Sequence, residues 1–95
     1  MGKLLEKHIE KYLKDRVKQL GGYSFKWASP AHRGVPDQIV FINKQVWLIE
    51  VKKPDGKLSE LQKFVGRQIR EHTPNYKVVY SKEEVDSWLI EVNPD

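Results

Sequence analysis

The chain has no cysteine. Disulfide scaffolds, thiolate zinc sites and cysteine nucleophiles are therefore excluded. Histidine is scarce as well. His8, His32 and His72 show neither HxH nor HExxH spacing, so imidazole-based metal centres are not indicated. No glycine-rich loop of the phosphate-cradling type occurs, which argues against nucleoside triphosphate binding. Long apolar runs are also missing. Near the centre the longest is Val46 to Ile49, far short of the ~20 residues that span a bilayer. The start is charged and amphipathic from Lys3 onward and does not read as a secretory signal. A soluble cytoplasmic protein without membrane contact is expected.

Acids are absent from one long stretch. Between Arg16 and Pro36 stand four basic residues (Arg16, Lys18, Lys26, Arg33) and no Asp or Glu. The reverse holds from Glu83 to Asp95, with five acids and no Lys or Arg. The formal net charge is +4, so this polarity matters more than the total. A basic face attracts phosphate backbones. An ordinary solvated basic surface accounts for the charge equally well.

The 95 residues, 39% hydrophobic and 32% charged, fit one small globular domain over 1–95. Trp27, Trp47 and Trp88 with the aliphatic runs supply a core. A core of this size stabilises modestly, so a homodimer is expected.

Apolar residues Leu5, Ile9, Tyr12, Leu13, Val17 and Leu20 recur at helical spacing and predict a helix over Lys3–Leu20, ended by Gly21-Gly22. "YSFKW" alternates as a strand, and "ASPAHRG" is a loop. "DQIVFI" and "QVWLIEVK" are strands joined by the tight turn "NK". "KPDG" is a turn before a helix over Ser59–His72, broken by "TPN". "KVVYS" is a fourth strand, and Glu83–Ile90 a last helix. The order is α-β-β-β-α-β-α. The hairpin strands are antiparallel, and a helical crossover makes the third and fourth parallel. The expected fold is α/β, a mixed four-stranded sheet flanked by helices.

Side chains alternate along a strand, so Leu48, Glu50 and Lys52 share one face and Trp47, Ile49 and Val51 the other. Asp37 opens the second strand, just after Pro36. The hairpin brings the start of one strand beside the end of the other, so Asp37 and Glu50 converge. Two such carboxylates repel and need a shared proton or a cation. Hard oxygen donors without His or Cys fit Mg²⁺ or Mn²⁺, and the Val51 carbonyl can add a third oxygen. Lys52 can hold a water or balance charge on a pentavalent phosphate. An exposed sheet face carrying a Glu–Lys pair and a turn Asp has the same spacing.

On the first helix, Glu6 lies about 60° and Glu10 about 100° from the centre of the apolar face. Glu6 therefore points toward the sheet, and Glu10 toward solvent with Lys14 at i+4. Ser59 and Gln62 have capping-box spacing. Gln62 can also face the metal site, and the two roles are compatible. Lys63, Arg67 and Arg70 share a helix face, either as backbone contacts or as a solvated stripe. Lys26, Ser29, His32 and Arg33, in and beside the loop, join Lys63 and Arg67 as candidate DNA contacts. The tryptophans read as core, with Trp27 the least certain because it adjoins the basic loop.

"LLEKHIEKYL", "GGYSFKWASPAHRGVPDQIVF", "VWLIEVKKPDGKLSELQ" and "YKVVYSKEEVDSWL" together resemble the VRR-NUC family, in its stand-alone phage and bacterial form. That family belongs to the PD-(D/E)xK nuclease superfamily, with a restriction-endonuclease-like fold. The resemblance covers nearly the whole chain. It implies Asp37 and Glu50 as metal-binding acids, Lys52 as the catalytic lysine, Gln62 as the family glutamine and Glu6 as the helix-one acid. It further implies a Mg²⁺- or Mn²⁺-dependent DNA endonuclease in the bacterial or phage-infected cytoplasm. A homodimer acting on branched DNA, like a Holliday junction resolvase, is the form expected. Rival readings are a nicking or flap-type nuclease, a non-catalytic DNA-binding module and a protein-interaction domain.

Overall fold

The computed structural model describes residues 5–94. Its elements run α1 (Glu6–Gln19), β1 (Tyr23–Lys26), β2 (Gln38–Ile42), β3 (Gln45–Val51), α2 (Glu60–His72), β4 (Tyr76–Val79) and α3 (Lys82–Val92). The four strands form one sheet in the order β1-β2-β3-β4. The first two pairings are antiparallel and the third is parallel. This is the mixed sheet and the element order that the sequence predicts.

The expected helix start at Lys3 lies outside the described residues. Within them Leu5 is the N-cap of α1. The His8 ring completes the first turn: its Nδ1 accepts the Leu5 N–H at 3.0 Å. The helix ends at glycines, and Gly22 N–H donates to the Val17 carbonyl at 2.9 Å. A Cβ on Gly22 would stand 2.5 Å from the Phe41 carbonyl oxygen, so the chain turns closely over β2 there. The β2–β3 turn places Asn43 and Lys44 at φ 50° and 61°. Both centres positive is the geometry that matches the twist of a two-residue hairpin. Asn43 also donates to the Val92 carbonyl at 2.9 Å, tying the turn to the end of α3. Strand β4 starts at Tyr76 and stops at Val79, short of the expected Ser81. Ser81 is instead the N-cap of α3, its Oγ accepting the Glu84 N–H at 3.1 Å.

One face of the sheet carries the core. Ile9, Leu13 and Val17 of α1 and Val85, Trp88, Leu89 and Val92 of α3 pack on Val40, Ile42, Ile49, Val51 and Val79. Trp47 meets Trp88 edge-to-face at 5.5 Å. Helix α2 lies on the opposite face. Its buried Gly66 sits on the Tyr76 ring so closely that a Cβ would come within 2.8 Å of the hydroxyl. Among the described residues, no helix is long and apolar enough to cross a membrane.

Candidate active site

The β2–β3 register pairs Gln38 with Ile49. Extended by one residue, it sets Asp37 beside Glu50 at the end of the sheet. Asp37 does not continue the backbone ladder to β3. Its side chain takes over, Oδ1 accepting the Val51 N–H at 3.1 Å. Its own carbonyl accepts the Trp27 N–H at 2.7 Å, which anchors the loop before it. The N–H and C=O of one strand residue point to the same side. The Val51 carbonyl therefore opens toward Asp37 as well.

Glu50 is only 4% exposed. Gln62 reaches it from the first turn of α2, Nε2 donating to Oε2 at 3.2 Å. The same side chain completes a capping box. Gln62 Oε1 accepts the Ser59 N–H at 2.8 Å, and Ser59 Oγ accepts the Gln62 N–H at 3.1 Å. Capping thus fixes the amide that holds the carboxylate.

Both acids hold their protons unusually tightly. Burial, then the charge of Asp37, push Glu50 up to about 8, against the pull of Lys52. Burial pushes Asp37 up to about 6, opposed by the Val51 N–H and assisted by the charges of Glu10 and Glu6. Lys52 Nζ lies 3.9 Å from Glu6 Oε1. Asp37, Glu50, Lys52, Gln62 and Glu6 are therefore gathered at one end of the sheet.

Glu10 departs from the expected orientation. It turns toward the sheet, not toward solvent, and its partners are not Lys14. Gln38 Nε2 donates to its Oε2 at 3.1 Å, and Lys26 Nζ stands 3.7 Å away. Gln38 is itself buried, and its Oε1 accepts from Ser24 Oγ at 3.4 Å. The signal for this network was in the sequence. Gln38 occupies the core-facing row of β2 with Val40 and Ile42, where a polar side chain requires a partner.

Apart from Lys26, which faces α1, the candidate DNA contacts divide between two flanks of α2. His32 and Arg33 line an open groove with Leu61, Phe64 and Gln68. The loop is seated there by Gly34, at φ +86°, where a Cβ would meet the Leu61 side chain at 2.9 Å. Ser29 precedes this turn, its carbonyl accepting the His32 N–H at 3.4 Å. Lys63 and Arg67 instead line a cavity with Arg70 and Tyr76 on the other flank. Arg70 stacks over the Tyr76 ring at 4.9 Å. Lys63 also pairs with Glu60 at 3.1 Å.

The donor set suits a hard divalent cation. Asp37, Glu50 and the Val51 carbonyl offer oxygen alone, as Mg²⁺ and Mn²⁺ require. Without a cation both carboxyls keep their protons to higher pH than usual, Glu50 more so than Asp37. No group of three or more His, Cys, Asp or Glu side chains surrounds a common point among the described residues. The set is two carboxylates completed by main chain.

Residues 3–83 match the VRR-NUC domain family. The chain is 33% identical over 94 residues to p44, a provisionally named nuclease of Acyrthosiphon pisum secondary endosymbiont phage 1. That alignment covers 93% of this chain and 95% of p44. A solved VRR-NUC domain structure superposes with a TM-score of 0.81 at 33% identity, covering 90% of this chain and 94% of the other. With a family match across most of its length and a relative and a solved structure that agree with it, the chain belongs to the VRR-NUC family.

Proposed function

We propose that this protein is a Mg²⁺- or Mn²⁺-dependent, structure-specific endonuclease that hydrolyses DNA phosphodiesters. In this reading it works as a homodimer on four-way junctions, in the manner of a Holliday junction resolvase. The observation that carries the reading is the convergence of two acids, the half-buried Asp37 and the buried Glu50, beside Lys52. Family membership supports the nuclease class.

Asp37, Glu50 and the Val51 carbonyl would hold the cation, with Glu6 beside Lys52 at the same end of the sheet. A cation bound there would supply Lewis-acid charge for a water and for the developing charge on the phosphate. The chain's own groups do the rest. The Val51 N–H fixes the Asp37 carboxylate, and Gln62 fixes that of Glu50. The Lys52 ammonium orients the attacking water and balances the charge that develops on the phosphoryl oxygens. Lys26, Ser29, His32, Arg33, Lys63 and Arg67 contact backbone phosphates and set the position of the duplex arms.

Cleavage of duplex, flap, fork and four-way junction DNA with Mg²⁺, Mn²⁺ or EDTA tests the proposal. Metal-dependent hydrolysis with preference for the junction is expected. Hydrolysis in EDTA would reject the metal role, and no cleavage of any DNA would reject the nuclease.

A further inference from the structure

Among the described residues, no helix packs over the outer face of the β1–β2 pair. In "YSFKW", Tyr23 and Phe25 share one face of β1. They pair directly with Phe41 and Ile39 of β2. Gln38, Val40 and Ile42 occupy the core side of β2. The rings therefore lie on the opposite face, the one that carries Asp37 and Glu50. Tyr23 is 67% exposed, Phe25 56% and Phe41 42%. Tyr23 and Phe25 are near-parallel, with centroids 6.4 Å apart, and Phe41 meets Phe25 edge-on at 6.0 Å. Three contacting rings left open to water are a patch that needs a partner.

The charge around the rings identifies its chemistry. Lys14 and Lys18 of α1 line a cavity along the β1 edge with Tyr23, Ser24 and Phe25. Lys26 follows on the strand but faces α1, where it stands 3.7 Å from Glu10, so Lys14 and Lys18 are the charges that border the rings. A second copy docked face-to-face by a two-fold axis would bring these lysines toward one another, which is costly. A polyanion with flat apolar faces fits both features. Each nucleic acid base has such a face, and aromatic side chains on a sheet stack on bases without regard to sequence.

The position fits too. Phe25 stands opposite Ile39, two residues along β2 from Asp37, and Phe41 is four residues from it. At ~3.3 Å per residue the rings begin about 7 Å and end about 13 Å from the candidate site. That is about two to four nucleotides at the ~3.4 Å rise of one strand. Bases in a continuous duplex are stacked and inaccessible, whereas pairs at a branch point lose a stacking neighbour and open at lower cost.

We propose that Tyr23, Phe25 and Phe41 form a stacking platform for unpaired bases flanking the cleavage point of branched DNA. The proposal rests on the nuclease reading for its substrate and adds how a branch is distinguished from a continuous duplex.

The test is fluorescence anisotropy in EDTA with labelled oligo(dT) and a blunt duplex, on the wild type and on Tyr23→Leu, Phe25→Leu and Phe25→Trp. Leucine keeps apolar bulk but removes the ring face, while tryptophan enlarges it. Each leucine variant is expected to lose about tenfold in oligo(dT) affinity, with duplex affinity and light-scattering mass unchanged. Phe25→Trp should bind oligo(dT) at least as tightly as the wild type. Equal oligo(dT) binding by the wild type and leucine variants overturns the platform while leaving the nuclease reading intact. A fall in mass in those variants also overturns it, because the face is then an interface between copies. A wild type that neither binds nor cleaves any DNA overturns both readings.

Discussion

At the level of single residues, the proposed cation would compete with protons for the candidate site. Glu50 is pushed up to about 8 and Asp37 to about 6, in both cases chiefly by burial. An unfolded chain releases these protons near the ordinary carboxylate range of about 4. Between that range and pH 8 the folded, metal-free protein therefore binds more protons than the unfolded chain. The stability these two groups contribute is fully present below about pH 4 and is lost as pH rises through 6 to 8. Urea midpoints in EDTA should decrease over that window. Glu50→Gln should flatten the decrease, because the amide needs no proton, and Mg²⁺ should restore the wild-type midpoint at pH 8. Asp37→Asn and Glu50→Gln should each abolish cleavage. A wild-type midpoint that climbs from pH 5 to 8 in EDTA would contradict the burial argument. Lys52 tests a separate role. Its ammonium is no metal ligand, so Lys52→Ala should lose cleavage yet keep Mn²⁺ affinity by calorimetric titration. A collapse of that affinity would show that the lysine acts through the cation site.

The elements explain what was legible in advance. Strand alternation and the hairpin sufficed to bring Asp37 beside Glu50, because register follows from the turn and the buried face. The capping box was legible because Ser59 and Gln62 are local. Its coincidence with Glu50 was not, since that depends on where the crossover seats α2. Helix α1 exposes the weak step. An apolar centre drawn through Leu5, Ile9 and Leu20 includes two residues, Leu5 and Leu20, that are exposed. The residues that pack are Ile9, Leu13 and Val17. Their centre puts Glu10 about 60° from the buried direction at ~100° per residue, which explains its bond to Gln38. The open rings of β1 were hidden for a related reason. Alternation shows that Tyr23 and Phe25 share a face, but not that α2 covers only the other half of the sheet. A pair of substitutions separates the two roles met at the start of α2. Ser59→Ala removes the cap and should cost about 1 kcal/mol in thermal unfolding, with cleavage largely retained. Gln62→Ala frees the Glu50 carboxylate and should depress cleavage at least tenfold. Equal activity loss in both would mean that the helix start, not the amide, supports the site.

The whole molecule sets the sign and reach of DNA binding. The stretch without acids runs from the end of α1 through β1 and the loop to Asp37, while the acids of the last thirteen residues fall on α3 and beyond. Helix α3 packs on the core face of the sheet, and the site acids lie on the other. Asp86 turns toward α1, where it accepts from the Tyr12 hydroxyl, whereas Glu84 shares an open groove with Lys63, so the separation of charge is partial. Binding through Lys26, Arg33, Lys63 and Arg67 should weaken with salt by ~0.9 log units of affinity per tenfold salt for each phosphate neutralised. Arg33→Ala and Arg67→Ala should each reduce that slope by about one unit, and the double variant by about two. Assembly enters at this scale because one site cuts one strand. Resolving a four-way junction takes two symmetric incisions, which a two-fold dimer with both sites on one DNA provides. Light scattering should give twice the monomer mass, and junction cleavage should yield paired nicks symmetric about the branch. Mixing wild type with Glu50→Gln tests the coupling directly: heterodimers should nick one strand and leave the other intact. If the protein is monomeric at working concentration and cuts flaps as readily as junctions, the resolvase assignment fails and a nuclease of another branched structure remains.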